Sequence, residues 1–215
     1  LSAAPPPPAR ATPPTPPAAP ELVVLVHGMG RSPFSMRSLE RHLTEAGYEV
    51  LNWGYSSYCC SIAELGAELQ DDLEAHTAAA PRRVHFVGHS LGNIIIRWAL
   101  THDHPPPTVG RVVMLAPPNQ GAHSADRFAP LVGWALKPIR ELGTDRSSTA
   151  RSIPRVTGVP IAIIAGQYDG KVSVAETQLA EAVAHRVVPA THSFLAQRRD
   201  VQALVVQFLR NGVMD

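Results

Sequence analysis

Six short apolar runs punctuate the chain, at 22–26, 50–53, 84–87, 111–116, 161–165 and 185–188. Each is bounded by Gly, Pro or polar clusters and is rich in β-branched residues, and most show no polar alternation. Strands buried on both faces read this way, as in a parallel sheet covered by helices. Helical periodicity fills the intervals. In 61–79, Ile62, Leu65, Leu69 and Leu73 fall on one stripe among Glu and Asp residues. Ser61 is placed to cap that helix, with Glu64 completing a capping box. A further helix is predicted over 93–100. A last one near 194–210 turns Val201, Leu204, Val205, Phe208 and Leu209 inward. Strand and helix alternate, so the predicted class is α/β with a mostly parallel sheet of about six strands.

Composition separates a tail from this body. Of the 21 prolines among 215 residues, 9 fall in the first 20, and proline can neither donate to a sheet nor continue a helix. Residues 1–20 are therefore expected to form an extended, polyproline-like linker ahead of one domain at 21–215. The tail and the non-methionine start favour a secreted or periplasmic address over a cytoplasmic one. The body, 45% apolar and 17% charged by the whole-chain count, is no disordered polymer. With 19 basic and 18 acidic residues there is no field for nucleic acid. No apolar run is long enough to span a membrane. Two cysteines exclude a disulfide scaffold. Cys59 and Cys60 are adjacent, and the Cα separation of about 3.8 Å lies below the usual disulfide span, so two small thiols are expected there.

One motif carries chemistry. Directly after the run at 84–87 comes Gly88-His89-Ser90-Leu91-Gly92, and then a helix. In a G-x-S-x-G strand-to-helix junction the serine sits on a sharp turn, its hydroxyl projects above the sheet, and the next amide points into the site. The first strand ends in His27-Gly28-Met29-Gly30, a turn able to lend a backbone N–H to an oxyanion. A nucleophilic serine needs a base and an orienting acid, which in this architecture follow in the order Ser, Asp or Glu, His. His192 sits just past the last strand and Asp169 just past the fifth, on the sheet edge that also holds Ser90. The other histidines fit less well: His102 and His104 lie beside Pro105–Pro107, His123 has no acid between it and a strand end, and His185 lies inside a strand. Asp145 and Glu141 are weaker candidates for the acid. The ten histidines form no H-E-x-x-H pattern, and neither metal nor cofactor is predicted.

Between the runs ending at 116 and starting at 161 lie about 44 residues, long for a plain loop. Within 124–142, Phe128, Leu131, Val132, Ala135, Leu136 and Ile139 fall at helical spacing, with Trp134 beside them. One reading is a single amphipathic helix covering the sheet. The other is that Phe128, Leu131 and Trp134 wall an acyl pocket beside Ser90, with His27 and His89 also at the pocket. The excursion is too short for a separate cap domain, so a lightly covered site is expected.

These residues resemble the α/β-hydrolase superfamily and, within it, small bacterial lipases and esterases. The motifs are HGMG at 27–30, GHSLG at 88–92, APPNQGA at 116–122, YDGKVS at 168–173 and THSF at 191–194. The resemblance implies a three-layer α/β-hydrolase fold and a serine hydrolase of carboxylic esters. Ser90, Asp169 and His192 would form its triad, with the Met29 and Leu91 amides as oxyanion hole. A small-molecule or lipid ester is the expected partner, and a monomer the expected state. Thioesterase, amidase and perhydrolase chemistry use the same constellation, whereas Ser90 argues against the aspartate nucleophile of dehalogenases and epoxide hydrolases. A hydrolase-fold binding protein is the non-catalytic alternative.

Overall fold

In the first strand, β1 (Leu22–Val26), every side chain is buried, yet successive residues serve different cores because Cβ direction alternates along a strand. Leu22, Val24 and Val26 join one apolar cluster, and Val23 and Leu25 join the other. The same division runs through β3 (Val84–His89), β4 (Val109–Leu115) and β5 (Ile161–Gly166): Phe86, Met114 and Ile163 point one way, Val87, Val113 and Ile164 the other. These are the strands of a computed structural model that describes residues 20–78, 82–106, 108–133 and 137–214. With β2 (Glu49–Trp53) and β6 (Ala184–Val188) they form one six-stranded sheet in the order β2-β1-β3-β4-β5-β6, and every pairing is parallel. The Pro-rich stretch lies, Pro20 apart, outside the described residues.

Helices close both faces and make three layers. On one side, α2 (Ile62–Thr77) and α3 (Leu91–Thr101) bury Leu65, Leu69, Ile95 and Trp98. On the other, α1 (Arg37–Glu45) and α7 (Arg199–Asn211) bury Leu39, Leu43, Val205 and Phe208. Each fully buried large aliphatic or aromatic side chain contributes about 1.5–3 kcal/mol by leaving water. The capping box at Ser61 is formed: its side-chain oxygen accepts from the Glu64 amide, and Glu64 accepts from the Ser61 amide at 2.7 Å. The last helix begins later than the periodicity suggests, because a 3₁₀ turn occupies His192–Gln197.

Two expectations need correction. The 124–142 stretch is not one helix: α4 (His123–Val132) and α5 (Lys137–Glu141) are separate, and α4 carries Pro130, which cannot donate the hydrogen bond that would hold its last turn. A short α6 (Thr149–Ser152) follows. No added cap domain stands over the sheet among the described residues. Cys59 and Cys60 are joined as a vicinal disulfide rather than held as two thiols. Cys59 closes a turn over 57–59, and Cys60 follows it directly.

Strand order decides where a ligand can go. The chain runs from β1 outward to β2, then returns to the other flank of β1 as β3. At such a reversal the connections leave the carboxyl edge in opposite directions and open a crevice. Val26 pairs with Gly88 and His89 with Leu115, so the turn after β1 and the turn after β3 emerge side by side.

Candidate active site

Ser90 stands at that crevice with φ 53° and ψ −121°, a strained conformation for a residue with a side chain. Its environment holds it there. The Ser90 amide donates to Leu115 O at 2.9 Å, and the Asn93 side-chain amide donates to both Ser90 O and Leu115 O. Although Ser90 precedes α3, its side chain makes no cap hydrogen bond, and the residue is half-buried. Two glycines explain the spacing of the motif. A Cβ on Gly92 would sit 2.3 Å from the Val26 carbonyl oxygen, so α3 can abut β1 only without one. A Cβ on Gly28 would lie 2.9 Å from His89 Nδ1 and 3.1 Å from Ser90 Cβ. Bringing the Met29 turn against the serine thus requires glycine there.

Asp169 and His192 meet from neighbouring strand ends. The amides of Gln167 and Tyr168 donate to Val188 O and Ala190 O, which ties the loop after β5 to the loop after β6. Across that junction His192 Nδ1 lies 2.7 Å from Asp169 Oδ2. The other carboxylate oxygen, Oδ1, accepts from the amides of Lys171 and Val172 at 2.8 and 2.9 Å. Burial alone would raise the pKa of this carboxyl. The His192 hydrogen bond and charge, with the two amides, outweigh burial and hold it below the ordinary value. The carboxylate side chain is fully buried and the imidazole nearly so.

Ser90 and His192 line one cavity of about 380 Å³. Gly28, Met29 and His89 line it too, and Pro118, Ala122, Ala125, Phe128, Ile139, Leu142 and Val172 supply an apolar wall. No hydrogen bond among the described residues engages the Met29 amide. Leu91 opens α3, where a first-turn amide has no carbonyl within the helix to bond.

Of the expected pocket residues, Phe128 and His89 are on this lining. Leu131 is not: it is 68% exposed on α4, because the wall comes from Ala122, Ala125 and Phe128 on another face. Trp134 lies outside the described residues. His27 is also off the lining. Its ring is fully buried, stacked 4.2 Å from Tyr55, and burial lowers its pKa. Tyr55 Oη donates to His27 O at 2.7 Å, and Ser57 Oγ accepts from the Gly30 amide. The loop after β2 therefore braces the glycine turn, a contact between residues 28 apart that no local pattern announces.

The remaining candidates resolve by geometry. Glu141 accepts from the Ile62 amide and the Thr149 hydroxyl, and Asp145 from Ser147, so neither meets His192. His102 is half-buried and stacks on Trp98 rather than lying in an open loop. His185 sits in β6 beside Thr177 Oγ1. His123 does have an acid, supplied across the fold: its Nδ1 is 2.6 Å from Glu176 Oε1, which raises the imidazole pKa. Among the described residues no three His, Cys, Asp or Glu side chains converge as a metal site, and no helix is long and apolar enough to cross a membrane.

Several solved structures share this fold. The mature lipase BlEst2 of Bacillus licheniformis superposes with a TM-score of 0.67 at 21% identity, over 82% of this chain and 86% of that one. A hydrolase from Pseudomonas aeruginosa gives 0.62 at 21% identity, over 90% and 91%. A monoacylglycerol lipase from Paleococcus ferrophilus gives 0.61 at 15% identity, over 87% and 93%. No curated protein matches the sequence significantly. The alpha/beta hydrolase family profile, in contrast, matches residues 23–209, nearly the whole described body, and the chain belongs to that family.

Proposed function

We propose that the protein hydrolyses carboxylic esters, with Ser90 as nucleophile, His192 as general base and acid, and Asp169 as the group that orients the imidazole. The observation that carries this reading is the Asp169–His192 pair, 2.7 Å apart, on the cavity that also holds the strained Ser90. Asp169 accepts a hydrogen bond from the His192 Nδ1–H and so holds the tautomer whose Nε2 lone pair faces the serine hydroxyl. Ser90 Oγ attacks the ester carbonyl as its proton passes to His192 Nε2. The amides of Met29 and Leu91 receive the oxyanion of the tetrahedral intermediate. Collapse breaks the bond to the alcohol, which leaves with the proton from His192. Water then attacks the acyl-serine carbonyl, giving its proton to the same nitrogen, and the acid departs as Ser90 regains its proton.

The apolar wall suits an acyl chain, and the likeness of the fold to proteins named lipases supports an acyl ester as substrate. Two measurements test the reading. A fluorophosphonate probe should label Ser90 and nothing in Ser90→Ala, and a series of esters graded by acyl length should be cleaved by the wild type alone. Retention of a tenth of wild-type kcat by Ser90→Ala would remove Ser90 from the mechanism, since an oxyanion hole without its nucleophile leaves only about 10³–10⁴-fold acceleration over water.

A further inference from the structure

Histidines apart, the charged side chains on the lining of the active-site cavity are both basic. Arg31 and Lys171 line the cavity, and both are exposed. Neither has a carboxylate within 4 Å among the described residues. Arg127, exposed on α4, lines a shallower depression that shares Ser124, Phe128 and Lys171 with the cavity, but Asp169 and Glu176 line it as well and balance its charge. The acids nearby are already engaged. Asp169 is held by His192 and two amides, and Glu176 by His123 and by the amides of His123 and Ser173. Asp126 accepts from the amide and hydroxyl of Thr144. The basic side chains are therefore left to face solvent and whatever enters.

Their placement indicates which part of a substrate they would meet. Arg31 follows the glycine turn and also lines a small depression with His89 and Ser193, on the side of His192. In ester cleavage His192 delivers a proton to the departing alkoxide, so the alcohol portion lies toward this side. Ala122, Ala125, Phe128 and Ile139 offer apolar surface to the acyl chain. We propose that the enzyme prefers esters whose alcohol portion carries a negative charge a few atoms from the ester oxygen, held by Arg31, with Lys171, elsewhere on the same lining, adding to the field. This inference rests on the ester-hydrolase reading and specifies its substrate class. Exposed ion pairs are individually weak, so one direct pair with a second positive charge on the lining should favour the anion about three- to tenfold in kcat/KM.

The test compares two soluble butanoate esters of equal acyl length, one of glycerol and one of glycerol 3-phosphate, both below their solubility limits. The expected result is a higher kcat/KM for the phosphate ester, arising mainly in KM. That preference should shrink toward unity in the double variant Arg31→Gln/Lys171→Gln and, through screening, at about 0.5 M salt. Circular dichroism confirms that the variant is folded. A wild-type ratio at or below one, or a preference that the double variant leaves intact, overturns the inference while ester hydrolysis stands. If neither ester is cleaved and the fluorophosphonate probe does not label Ser90, the ester reading itself fails, and the charge preference falls with it.

Discussion

His89 Nε2 lies 2.9 Å from the backbone carbonyl oxygen of His192, a hydrogen bond between residues 103 apart in the chain. The buried His89 ring is also tilted against the His192 ring at 4.9 Å between centroids. Burial, and then the charge of His192, push the His89 pKa down to about 3, so this imidazole is neutral and donates from Nε2. The residue beside Ser90 thus holds the loop that presents His192.

That contact predicts a positioning role. His89→Ala should lower kcat by about tenfold or more with little change in KM, because an error of about 1 Å in the base can cost that much or greater. The carbonyl of His192 would also lose its partner. Steady-state kinetics on one soluble ester, with thermal unfolding as a control, separates the outcomes: an equal loss in KM, or stability loss without a kinetic effect, would assign His89 to packing alone.

The acid can be tested by contrast. Asp169→Asn should preserve the fold and lower kcat by orders of magnitude, since an amide favours the wrong imidazole tautomer. Glu141→Gln should behave oppositely, reducing stability by about 1 kcal/mol through weaker bonds to Ile62 and Thr149 while leaving kcat near wild type. Asp145→Asn should leave kcat near wild type as well. Measuring kcat and urea midpoints for all three decides among the carboxyls. A damaging Asp145→Asn or Glu141→Gln in turnover would displace Asp169.

Acid should destabilise the protein in two stages. His89 is held neutral in the folded state, whereas in the unfolded chain it protonates near its ordinary value of 6.5. As pH falls below 6.5 the unfolded state binds the extra proton, and stability declines at up to about 1.4 kcal/mol per pH unit until pH nears 3. His27 and His85, whose pKa values burial also lowers, act in the same direction. Asp169 has its pKa lowered by folding, so its contribution is present above the unfolded value of 3.8 and is lost as pH falls through the folded one. Urea titrations from pH 7 to pH 3 should show this decline, and His89→Gln should flatten its upper part. A wild type equally stable at pH 7 and pH 4 would contradict the assignment.

Access to the site should need no interface. No added cap domain covers the sheet among the described residues, and Phe128 on the cavity wall is 50% exposed. Rates on a short-chain ester should rise smoothly with concentration through its solubility limit. A sharp jump at that limit would reveal a lid that opens on an oil–water surface.

The positions of all six strands were legible in the sequence as short apolar runs, most sharply for β1, β3 and β5, which are buried throughout, whereas the edge strands β2 and β6 are only partly buried. The capping box at Ser61 and Glu64 and the elbow at Gly88–Gly92 were legible because each is a local geometry that admits few residue types. Ser90, Asp169 and His192 could be chosen because strand ends mark one edge of a parallel sheet. What joins that edge was decided by tertiary structure. Nothing local brings Glu176 to His123, Ser57 to Gly30 or His89 to the His192 carbonyl. Helical periodicity at 124–142 could not reveal that α4 ends before α5, nor that Leu131 turns to solvent while Ala122 and Ala125 wall the cavity. Periodicity reports which residues share a face of one element. Which face meets the cavity depends on how that element docks, and docking is settled by packing among residues distant in the chain.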